Sequence, residues 1–414
     1  MRIDDLTAPH FTPDVDQIRG AVAAMAGDVR LQPGFIVDAA CAEAGLDASA
    51  LDAAYLERLD VICRGWRDEA RLSSFGVFSC VSQLTGMVRN KLLVADLLRR
   101  HPEIHDIEIE RPIVICGLPR TGTTHLHNLM SADPQLRSLP YWESLQPVLA
   151  SAEIPAPGEP DPRRARTDMA IGMLDASMPL FKRMHEMTTD HVHEEIQLLA
   201  IDLSTMLFET MAFSTSLRDY YLAHDQMPHY EYLRTVLKVM TFLRGGTRWV
   251  LKSPQHLEQF GPLRQVFPDA TYVVTHRDPV SVVVSMVTML AYGARMSAEQ
   301  VDPRRIGATW TDRLERMLRA CVRDRDLLPA DQSVDVYFHE FMADEAGVLR
   351  SVYEAAGQPL SAASLAAMDQ YQLDHPRGRH GTIVYEPEQF GLDLDDLREQ
   401  MRFYTDRFPV ALES

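Results

Sequence analysis

The stretch GLPRTGTTHL, residues 117–126, decides the fold of this chain. Gly117 and Gly122 have the spacing of a phosphate-binding loop, in which glycines let successive backbone N–H groups turn toward an anion. Such a loop normally continues with lysine and then serine or threonine. Here Thr123 and Thr124 follow instead, and Arg120 is the only cation inside the loop. The apolar run PIVIC before the loop and the helical pattern after it predict a strand, an anion-binding loop and a helix.

Four short apolar runs rich in β-branched residues predict the strands of a sheet: PIVIC (112–116), RWVL (248–251), TYVV (271–274) and VDVYF (334–338). Helical stretches lie between them, and this alternation is typical of an α/β fold in which helices flank a central parallel sheet. We expect a helical N-terminal subdomain over residues 1–108 and a main domain over 109–414. Within the main domain, residues 151–245 are predicted to form a helical insertion that begins with a proline-rich segment.

Composition narrows the class of protein. Apolar residues make up 46% of the 414, which indicates a globular chain, and the net charge of −18 argues against a nucleic-acid surface. The five cysteines are scattered and odd in number, which favours a reduced, cytoplasmic protein. The N-terminus lacks a signal-peptide pattern, and the longest apolar-rich run, 280–294, is too short to span a bilayer, so we do not expect an integral membrane protein. The oligomeric state is not predicted.

Cations follow three of the four predicted strands, although the chain as a whole is acidic. Arg120 lies in the loop after the first strand, Lys252 directly follows the second, and Arg277 comes shortly after the third. Ligands of open parallel sheets bind beyond the carboxyl ends of the strands. Asp278 and Pro279 predict a helix start there, with Ser285 about two turns along it. The pattern therefore predicts a ligand with more than one anionic group, and Arg277 with Ser285 as one of its binding sites.

The cations predicted at this edge fit a sulfuryl group better than a γ-phosphate. A P-loop enzyme that transfers a phosphoryl group uses a lysine and a metal ion held by a carboxylate. This chain has no such Gly-Lys pair, no apolar run that ends cleanly in an aspartate and no HExxH-type ligand set, so we predict a site without a metal. Arginine and lysine without a metal suit a group that carries less charge than a γ-phosphate.

These motifs resemble those of the P-loop sulfotransferases that use 3′-phosphoadenosine 5′-phosphosulfate (PAPS), and most of all their bacterial, actinobacterial-type branch. GLPRTGTTHL is similar to the 5′-phosphosulfate loop, THRDPVSVVVS (275–285) to the 3′-phosphate motif, and WVLKSPQHL (249–257) to the strand between them. DHPRGRHGTIVYEPEQFGLD (374–393) is similar to the C-terminal segment that closes over the cofactor. The resemblance covers about residues 111 to 405. It implies PAPS as donor, adenosine 3′,5′-bisphosphate as product, and the following contacts: Arg120, Thr121, Gly122, Thr123 and Thr124 for the 5′-phosphate side, and Arg277 and Ser285 with Arg377 or Arg379 for the 3′-phosphate.

Catalysis of an in-line sulfuryl transfer needs fixed positive charge and a base. We expect Arg120 to meet the leaving oxygen and Lys252 the sulfuryl oxygens. Three residues are candidates for the base that deprotonates the acceptor: Glu143, His256 and Glu195. Glu143 resembles the catalytic glutamate of tyrosylprotein sulfotransferases in position, and His256 lies near the catalytic histidine of cytosolic sulfotransferases.

The acceptor is expected to be a small or lipid-like molecule with a hydroxyl or amine group. Many methionines lie in the 151–245 insertion, and methionine adapts to irregular apolar shapes. We therefore hypothesise that the insertion covers an apolar acceptor pocket. Two other functions stay open from the sequence: a P-loop kinase that depends on ATP and Mg²⁺, and a nucleotide-binding protein without turnover.

Overall fold

The fold centres on a four-stranded parallel sheet, which a computed structural model describes together with the rest of residues 1–413. The strands are β1 (Ile113–Cys116), β2 (Val250–Ser253), β3 (Thr271–His276) and β4 (Ser333–Tyr337), in the spatial order β2-β1-β3-β4. All three pairings are parallel, and Ile113 pairs with Val250 on one side and with Thr271 on the other. The predicted α/β fold is confirmed, with every strand within two residues of its predicted bounds.

Burial explains why β1, β2 and β3 each contain a short apolar run. Every residue of β1, β2 and β3 is buried, because helices cover both faces of the sheet, whereas β4 is half-buried at its edge. Since the strands are parallel, their carboxyl ends meet at one edge of the sheet. Cys116 pairs with Ser253 there, which brings the loop after β1 beside the end of β2.

The N-terminal part of the chain is helical throughout. Its longest helix, α4, packs against α2, and its buried residues belong to the same apolar core as Val114 of β1 and Leu251 of β2. The proposed division at residue 108 therefore stays a prediction. The four helices are α1 (Pro13–Met25), α2 (Pro33–Ala44), α3 (Ala53–Glu69) and α4 (Ser74–Arg100).

The segment between β1 and β2 contains the helix after the loop, followed by the long insertion. A buried ion pair fixes the insertion: Arg313 donates hydrogen bonds to Glu209 of the insertion and to Glu258, which follows β2. Burial raises the pKa of the Glu209 carboxyl to about 7. The helices of this segment are α5 (Thr123–Ser131), α6 (Tyr141–Leu145), α7 (Pro162–Ser177), α8 (Ile196–Ala200), α9 (Leu207–Met211), α10 (Thr215–Ala223) and α11 (Met227–Arg244).

The remaining helices complete the two layers around the sheet. Asp278 caps α13 by accepting a hydrogen bond from the N–H of Val280, as predicted, and α13 packs against α14. Within residues 1–413, none of the helices combines the length and the apolar character needed to cross a bilayer. These helices are α12 (Phe260–Val266), α13 (Pro279–Ala294), α14 (Pro303–Asp324), α15 (Phe338–Ala343), α16 (Glu345–Ala356), α17 (Ala362–Asp374), α18 (Leu394–Gln400) and α19 (Arg402–Thr405).

Candidate active site

The loop between β1 and α5 has the geometry of an anion nest. Gly122 takes a left-handed backbone conformation, with φ +87°, and directly precedes α5. As a glycine it has no side chain to cap the first N–H groups of α5, which stay available to a ligand. Arg120 also has a positive φ of 72°, a conformation that non-glycine residues rarely adopt and that is concentrated at functional sites.

Gly117 is required by close packing rather than by its own torsion angles. A Cβ atom at this position would lie 1.9 Å from Oγ1 of Thr275 on β3. That threonine hydroxyl lies 2.7 Å from Oγ1 of Thr121, which also donates to the carbonyl of Leu118 at 2.7 Å. The buried Thr121 hydroxyl therefore stiffens the loop from behind, and only its backbone remains for a ligand.

Arg120 joins the loop to two other parts of the fold. Its Nε donates to Oγ of Ser285 on α13 at 2.9 Å, and its Nη1 donates to the carbonyl of Met184 in the insertion. Ser285 is buried and donates in turn to the hydroxyl of Tyr385 at 2.9 Å. The structure therefore places Ser285 beside the Arg120 side chain.

Arg277 lies on the other side of the same loop. Its Nη1 donates to the carbonyl of Arg120 at 2.7 Å, and its guanidinium stands 4.1 Å above the ring centroid of Phe338. The Glu413 carboxylate accepts two hydrogen bonds from it, at 2.5 and 2.6 Å. Arg277 is thus fixed beside the loop, and an acidic side chain of the same chain occupies its outer edge.

Lys252 of β2 points at the start of α5. Its ammonium lies 3.3 Å from Oγ1 of Thr124 and also contacts the carboxylate of Glu194. Its backbone N–H donates to the carboxylate of Glu195 at 2.7 Å. The three cations at the carboxyl ends of β1, β2 and β3 therefore converge on one loop, although their side chains have different contacts around it.

A cavity of about 380 Å³ opens over the loop, and we call it the cationic cavity. Among its lining residues are six arginine and lysine side chains and a single carboxylate, that of Glu186, in a chain whose net charge is −18. Seven aromatic or imidazole rings also line it. The lining of the cationic cavity includes Arg120, Gly122, Thr123, Thr124, Lys182, Arg183, His185, Glu186, His191, Arg277, Phe338, Tyr371, His375, Arg377 and Arg379.

The two predicted C-terminal arginines lie on the segment that forms one wall of this cavity. Arg377 forms an ion pair with Glu345, and its Nη2 lies 3.2 Å from Nε2 of His125. Arg379 forms an ion pair with Glu186 and donates to the carbonyl of Asp374 at 2.8 Å. The Arg377 side chain is half-exposed and the Arg379 side chain is partly exposed, so both stand at the outer rim of the cavity.

A second space, the apolar cavity, of about 240 Å³, lies on the other side of Arg120. It shares Arg120, Thr123, Thr124 and His185 with the cationic cavity, so the two spaces meet at the start of α5. The insertion supplies much of its wall. Its other lining residues include Phe181, His193, Glu194, Ile196, Met206, Leu207, Thr210, Lys252, Met286, Met289 and Leu290.

Comparison with known proteins identifies the family. Residues 112–362 match the sequence model described as "Sulfotransferase family". The chain belongs to the sulfotransferase family. Sulfotransferase STF9 of Mycobacterium avium superposes with a TM-score of 0.81 at 26% identity, over 94% of this chain and 99% of that one. Sulfotransferase STF1 of Mycobacterium tuberculosis superposes with a TM-score of 0.75 at 28% identity, over 88% and 96% of the two chains.

A curated relative extends this similarity to an enzyme with a named acceptor. The omega-hydroxy-beta-dihydromenaquinone-9 sulfotransferase Stf3 of Mycobacterium tuberculosis is 23% identical over 278 residues. The match covers 64% of this chain and 67% of the relative. The predicted sulfotransferase family and P-loop fold are confirmed.

The three residues predicted as the base of this sulfotransferase do not line either cavity. Glu143 is buried and accepts hydrogen bonds from Arg137 at 2.9 and 3.0 Å, while Arg244 lies 2.8 Å from it. Burial raises the pKa of the Glu143 carboxyl, although Arg137 opposes the shift. His256 and Glu195 contact each other in the interior. Among these side chains, none lines the cationic or the apolar cavity.

His256 and Glu195 belong to a buried hydrogen-bond network that supports β2. His256 Nε2 lies 2.5 Å from Oε1 of Glu195, and its Nδ1 lies 2.8 Å from the hydroxyl of Tyr230. Both residues are less than 1% exposed. The other carboxylate oxygen of Glu195 accepts a hydrogen bond from the backbone N–H of Lys252. This network therefore fixes the backbone position of Lys252.

The sequence prediction gave no role to several glutamate and histidine side chains that line the cavities. Glu194 and His193 line the apolar cavity, His191 lines the cationic cavity, and His185 lines both. Burial lowers the pKa of His185 to about 3 and that of His191 to about 4, and lowers the pKa of His193 well below its usual value. The motif HVHEE (191–195) held the available signal, but the prediction chose Glu195 rather than its neighbour Glu194.

Proposed function

We propose that this sulfotransferase transfers the sulfuryl group of PAPS to a hydroxyl group of a lipid-like acceptor. The observation that carries the proposal is the meeting of the two cavities at Arg120, Thr123, Thr124 and His185. A strongly cationic space suits a nucleotide with two separate anionic ends, and an apolar space suits the acceptor. Transfer between them requires both reactants to meet at one point, and these four residues surround that point.

The residues of the cationic cavity fit PAPS. The uncapped N–H groups of Gly122, Thr123 and Thr124 would hold the 5′-phosphate, as at other helix N-termini. Arg277 would hold the 3′-phosphate, with Arg377 or Arg379 adding charge from the rim. The 3′-phosphate distinguishes PAPS from ATP, so these arginines would select the donor. Bound PAPS would supply the sulfuryl group and the leaving phosphate.

Arg120 and Lys252 are proposed as the groups that stabilise the charge that develops during transfer. Arg120 borders both cavities, and Lys252 faces the same point from β2. Both side chains are held by hydrogen bonds, Arg120 by Ser285 and Met184, and Lys252 by Thr124 and Glu194. Fixed cations of this kind stabilise a transition state without reorganising first. The sequence assigned Ser285 to the 3′-phosphate; the contact with Arg120 supports a positioning role instead.

Glu194 is our proposed general base, in place of the three residues considered from the sequence. Its carboxylate lines the apolar cavity and contacts the Lys252 ammonium, which brings it to the side from which an acceptor hydroxyl would approach. A base must lie within hydrogen-bond reach of the proton that it removes, and Glu143, His256 and Glu195 do not line either cavity. His185, which lines both cavities, is the alternative.

The lipid-like nature of the acceptor rests on the lining of the apolar cavity and on the relative named for a hydroxylated menaquinone. Phe181, Ile196, Met206, Leu207 and Met289 give the cavity a mainly aliphatic wall. The five cysteines are free thiols, which fits the reduced cytoplasm that we propose as its location. We also propose that transfer needs no metal ion, which activity measured in a chelator would test.

Binding of the reaction product tests the donor. Thermal shifts are measured with adenosine 3′,5′-bisphosphate, with ADP, and with ADP plus Mg²⁺. A ligand present at about 100 times its Kd stabilises the folded state by about 2.7 kcal/mol. A response mainly to the bisphosphate supports the proposal, whereas a response mainly to ADP with Mg²⁺ supports the kinase alternative. Transfer of label from sulfur-labelled PAPS to lipid alcohols then separates an enzyme from a protein that only binds the nucleotide.

The base is tested by the pH dependence of that transfer. In Glu194→Gln, kcat/KM falls about 10²–10⁴-fold and the acidic limb of the pH profile disappears, because the titrating base is gone. Glu57→Gln, an exposed change on α3, is the matched control and keeps the wild-type profile. If His185→Asn removes the acidic limb and Glu194→Gln retains it, the base is His185.

A further inference from the structure

The apolar cavity shares two of its lining residues with another space. Thr210 of α9 and Leu290 of α13 line it, and the same two residues line a second space of about 250 Å³, which we call the outer cavity. Each of the two side chains is only partly buried. The hydroxyl of Thr210 donates to the carbonyl of Leu207 at 2.7 Å, so it demands no polar partner from a ligand. Thr210 and Leu290 therefore stand at the junction of two cavities of similar size.

Most of the residues that line the outer cavity are apolar. Its wall is formed mainly by aliphatic and aromatic side chains, and Trp310 of α14 is buried in it. Two carboxylates also line it, but the fold uses both: Glu209 accepts hydrogen bonds from the buried Arg313, and Asp302 caps α14. The apolar residues are Ala70, Leu72, Met211, Ala212, Phe213, Leu290, Ala294, Ala298, Val301, Ile306 and Trp310.

Two exposed arginines mark the solvent side of the outer cavity. Arg71 follows α3, and Arg305 lies in the first turn of α14 with its guanidinium 3.6 Å from the ring centroid of Phe213. Backbone hydrogen bonds hold the cavity wall between these two arginines. The backbone of Leu72 pairs with that of Ala298, and the N–H of Ser73 donates to the carbonyl of Ser297 at 2.8 Å. The connection between α3 and α4 thus forms part of the cavity wall.

We propose that the apolar and outer cavities together bind one elongated acceptor, an alcohol whose apolar chain passes between Thr210 and Leu290. This inference rests on the proposed function. The hydroxyl end lies at Lys252 and Glu194, and the far part of the chain lies against Trp310. A short alcohol fills only the apolar cavity, so the second cavity gives the enzyme a preference for long chains, because each additional buried methylene tightens binding about fourfold.

Fluorescence quenching of Trp310 tests the path directly and needs no turnover. The probes are ω-bromohexadecanol and ω-bromooctanol, whose terminal bromine quenches only an indole that it approaches closely. We expect the long probe to quench the wild-type enzyme and the short probe to leave it unquenched. The quenched component disappears in Trp310→Phe. Because the chain has four tryptophans, this variant assigns the signal to one of them.

Narrowing the junction tests the passage. Leu290→Phe places a larger side chain between the cavities, and overpacking of this kind costs enough to weaken binding of the long probe about tenfold. Leu243→Phe is the matched control, an exposed leucine on α11 that lines neither cavity. Adenosine 3′,5′-bisphosphate is titrated into every variant, so that donor binding is measured separately.

The outcomes separate this inference from the proposed function. Quenching that is specific to the long probe, to Trp310 and to an open junction supports the elongated acceptor. An intact bisphosphate response with no quenching of Trp310, or with equal quenching in Leu290→Phe, overturns the inference and leaves the donor assignment standing. Loss of the bisphosphate response in the wild-type enzyme overturns both.

Discussion

Arg120 Nε donates a hydrogen bond to Ser285 Oγ across 2.9 Å, and this bond ties the anion-binding loop to α13. We expect Ser285→Ala to lower kcat about tenfold or more, because a hydrogen bond to a charged group contributes about 1.5–3 kcal/mol. Affinity for adenosine 3′,5′-bisphosphate should change little. Ser281→Ala, earlier on the same helix, serves as the control. A selective loss of bisphosphate affinity in Ser285→Ala would instead restore the direct 3′-phosphate contact that the sequence suggested.

Arg120 itself should matter for the chemical step. Arg120→Ala is expected to reduce turnover at saturating donor by about 10²–10³-fold, the usual effect of losing one group that stabilises developing charge. Alanine keeps the Cβ atom, so the backbone strain at φ 72° is unchanged and the variant isolates the guanidinium. Near wild-type turnover in this variant would refute the catalytic role. Turnover of Lys252→Met, measured in the same way, tests the cation on the other side of the point where the two cavities meet.

Glu413 is expected to compete with the donor for Arg277. Its carboxylate accepts two hydrogen bonds from that guanidinium at 2.5 and 2.6 Å, which is the partner that a phosphate would need. Glu413→Gln should tighten bisphosphate binding by a few-fold, because a half-exposed ion pair contributes about 0.2–1 kcal/mol. Calorimetric titration measures the change, and Glu399→Gln, an exposed carboxylate nearby, gives the background. Unchanged affinity for the bisphosphate would show that Glu413 does not compete with the donor for Arg277.

The stability of the enzyme should fall in acid over a defined range. Burial lowers the folded-state pKa of His185 to about 3 and that of His125 and His191 to about 4, whereas the unfolded value is 6.5. Below pH 6.5 the unfolded chain binds protons that the folded chain does not, so stability decreases as pH falls from about 6.5 toward 4. We expect the melting temperature to follow that slope. His185→Asn should flatten it by about one proton, and an unchanged slope would contradict the assignment.

Gly117 should not tolerate a side chain. In Gly117→Ala, the new Cβ would lie 1.9 Å from Oγ1 of the buried Thr275, so the loop must move away from β3. We expect a melting temperature several degrees lower and loss of the bisphosphate response. Gly172→Ala, in the middle of α7 with no atom within 4 Å of the added Cβ, is the control and should stabilise by about 0.5–1 kcal/mol. Similar behaviour of the two variants would contradict this explanation.

The sheet and the loop could be predicted because local sequence determines them. Strands covered on both faces read as short β-branched runs, and Gly117, Gly122 and the two threonines after them mark the turn into a helix. The parallel order then brings Arg120, Lys252 and Arg277 to one edge without further information. Strand and loop signals are local, so a single sequence was sufficient for them.

The cavities, and which carboxylates line them, could not be predicted because long-range packing places them. Glu143 is drawn into the interior by Arg137 and Arg244, which nothing in the sequence links to it. Glu194 and Glu195 are neighbours, but only the first lines the apolar cavity, since the second turns inward to His256. Which of two adjacent carboxylates reaches a cavity depends on the exact direction of a short helical turn, α8, that has no strong sequence signal.

The buried ion pairs of Arg313 with Glu209 and Glu258 restrict the substitutions that this enzyme can accept during evolution. Removing one partner of a buried ion pair costs about 3–5 kcal/mol, whereas replacing the whole set with apolar residues of similar volume is often neutral. Single substitutions at these three positions should therefore destabilise the fold. We expect homologues to keep all three residues or to exchange them together. Since Glu209 also borders the outer cavity, such a joint exchange would reshape one wall of that space in the same step.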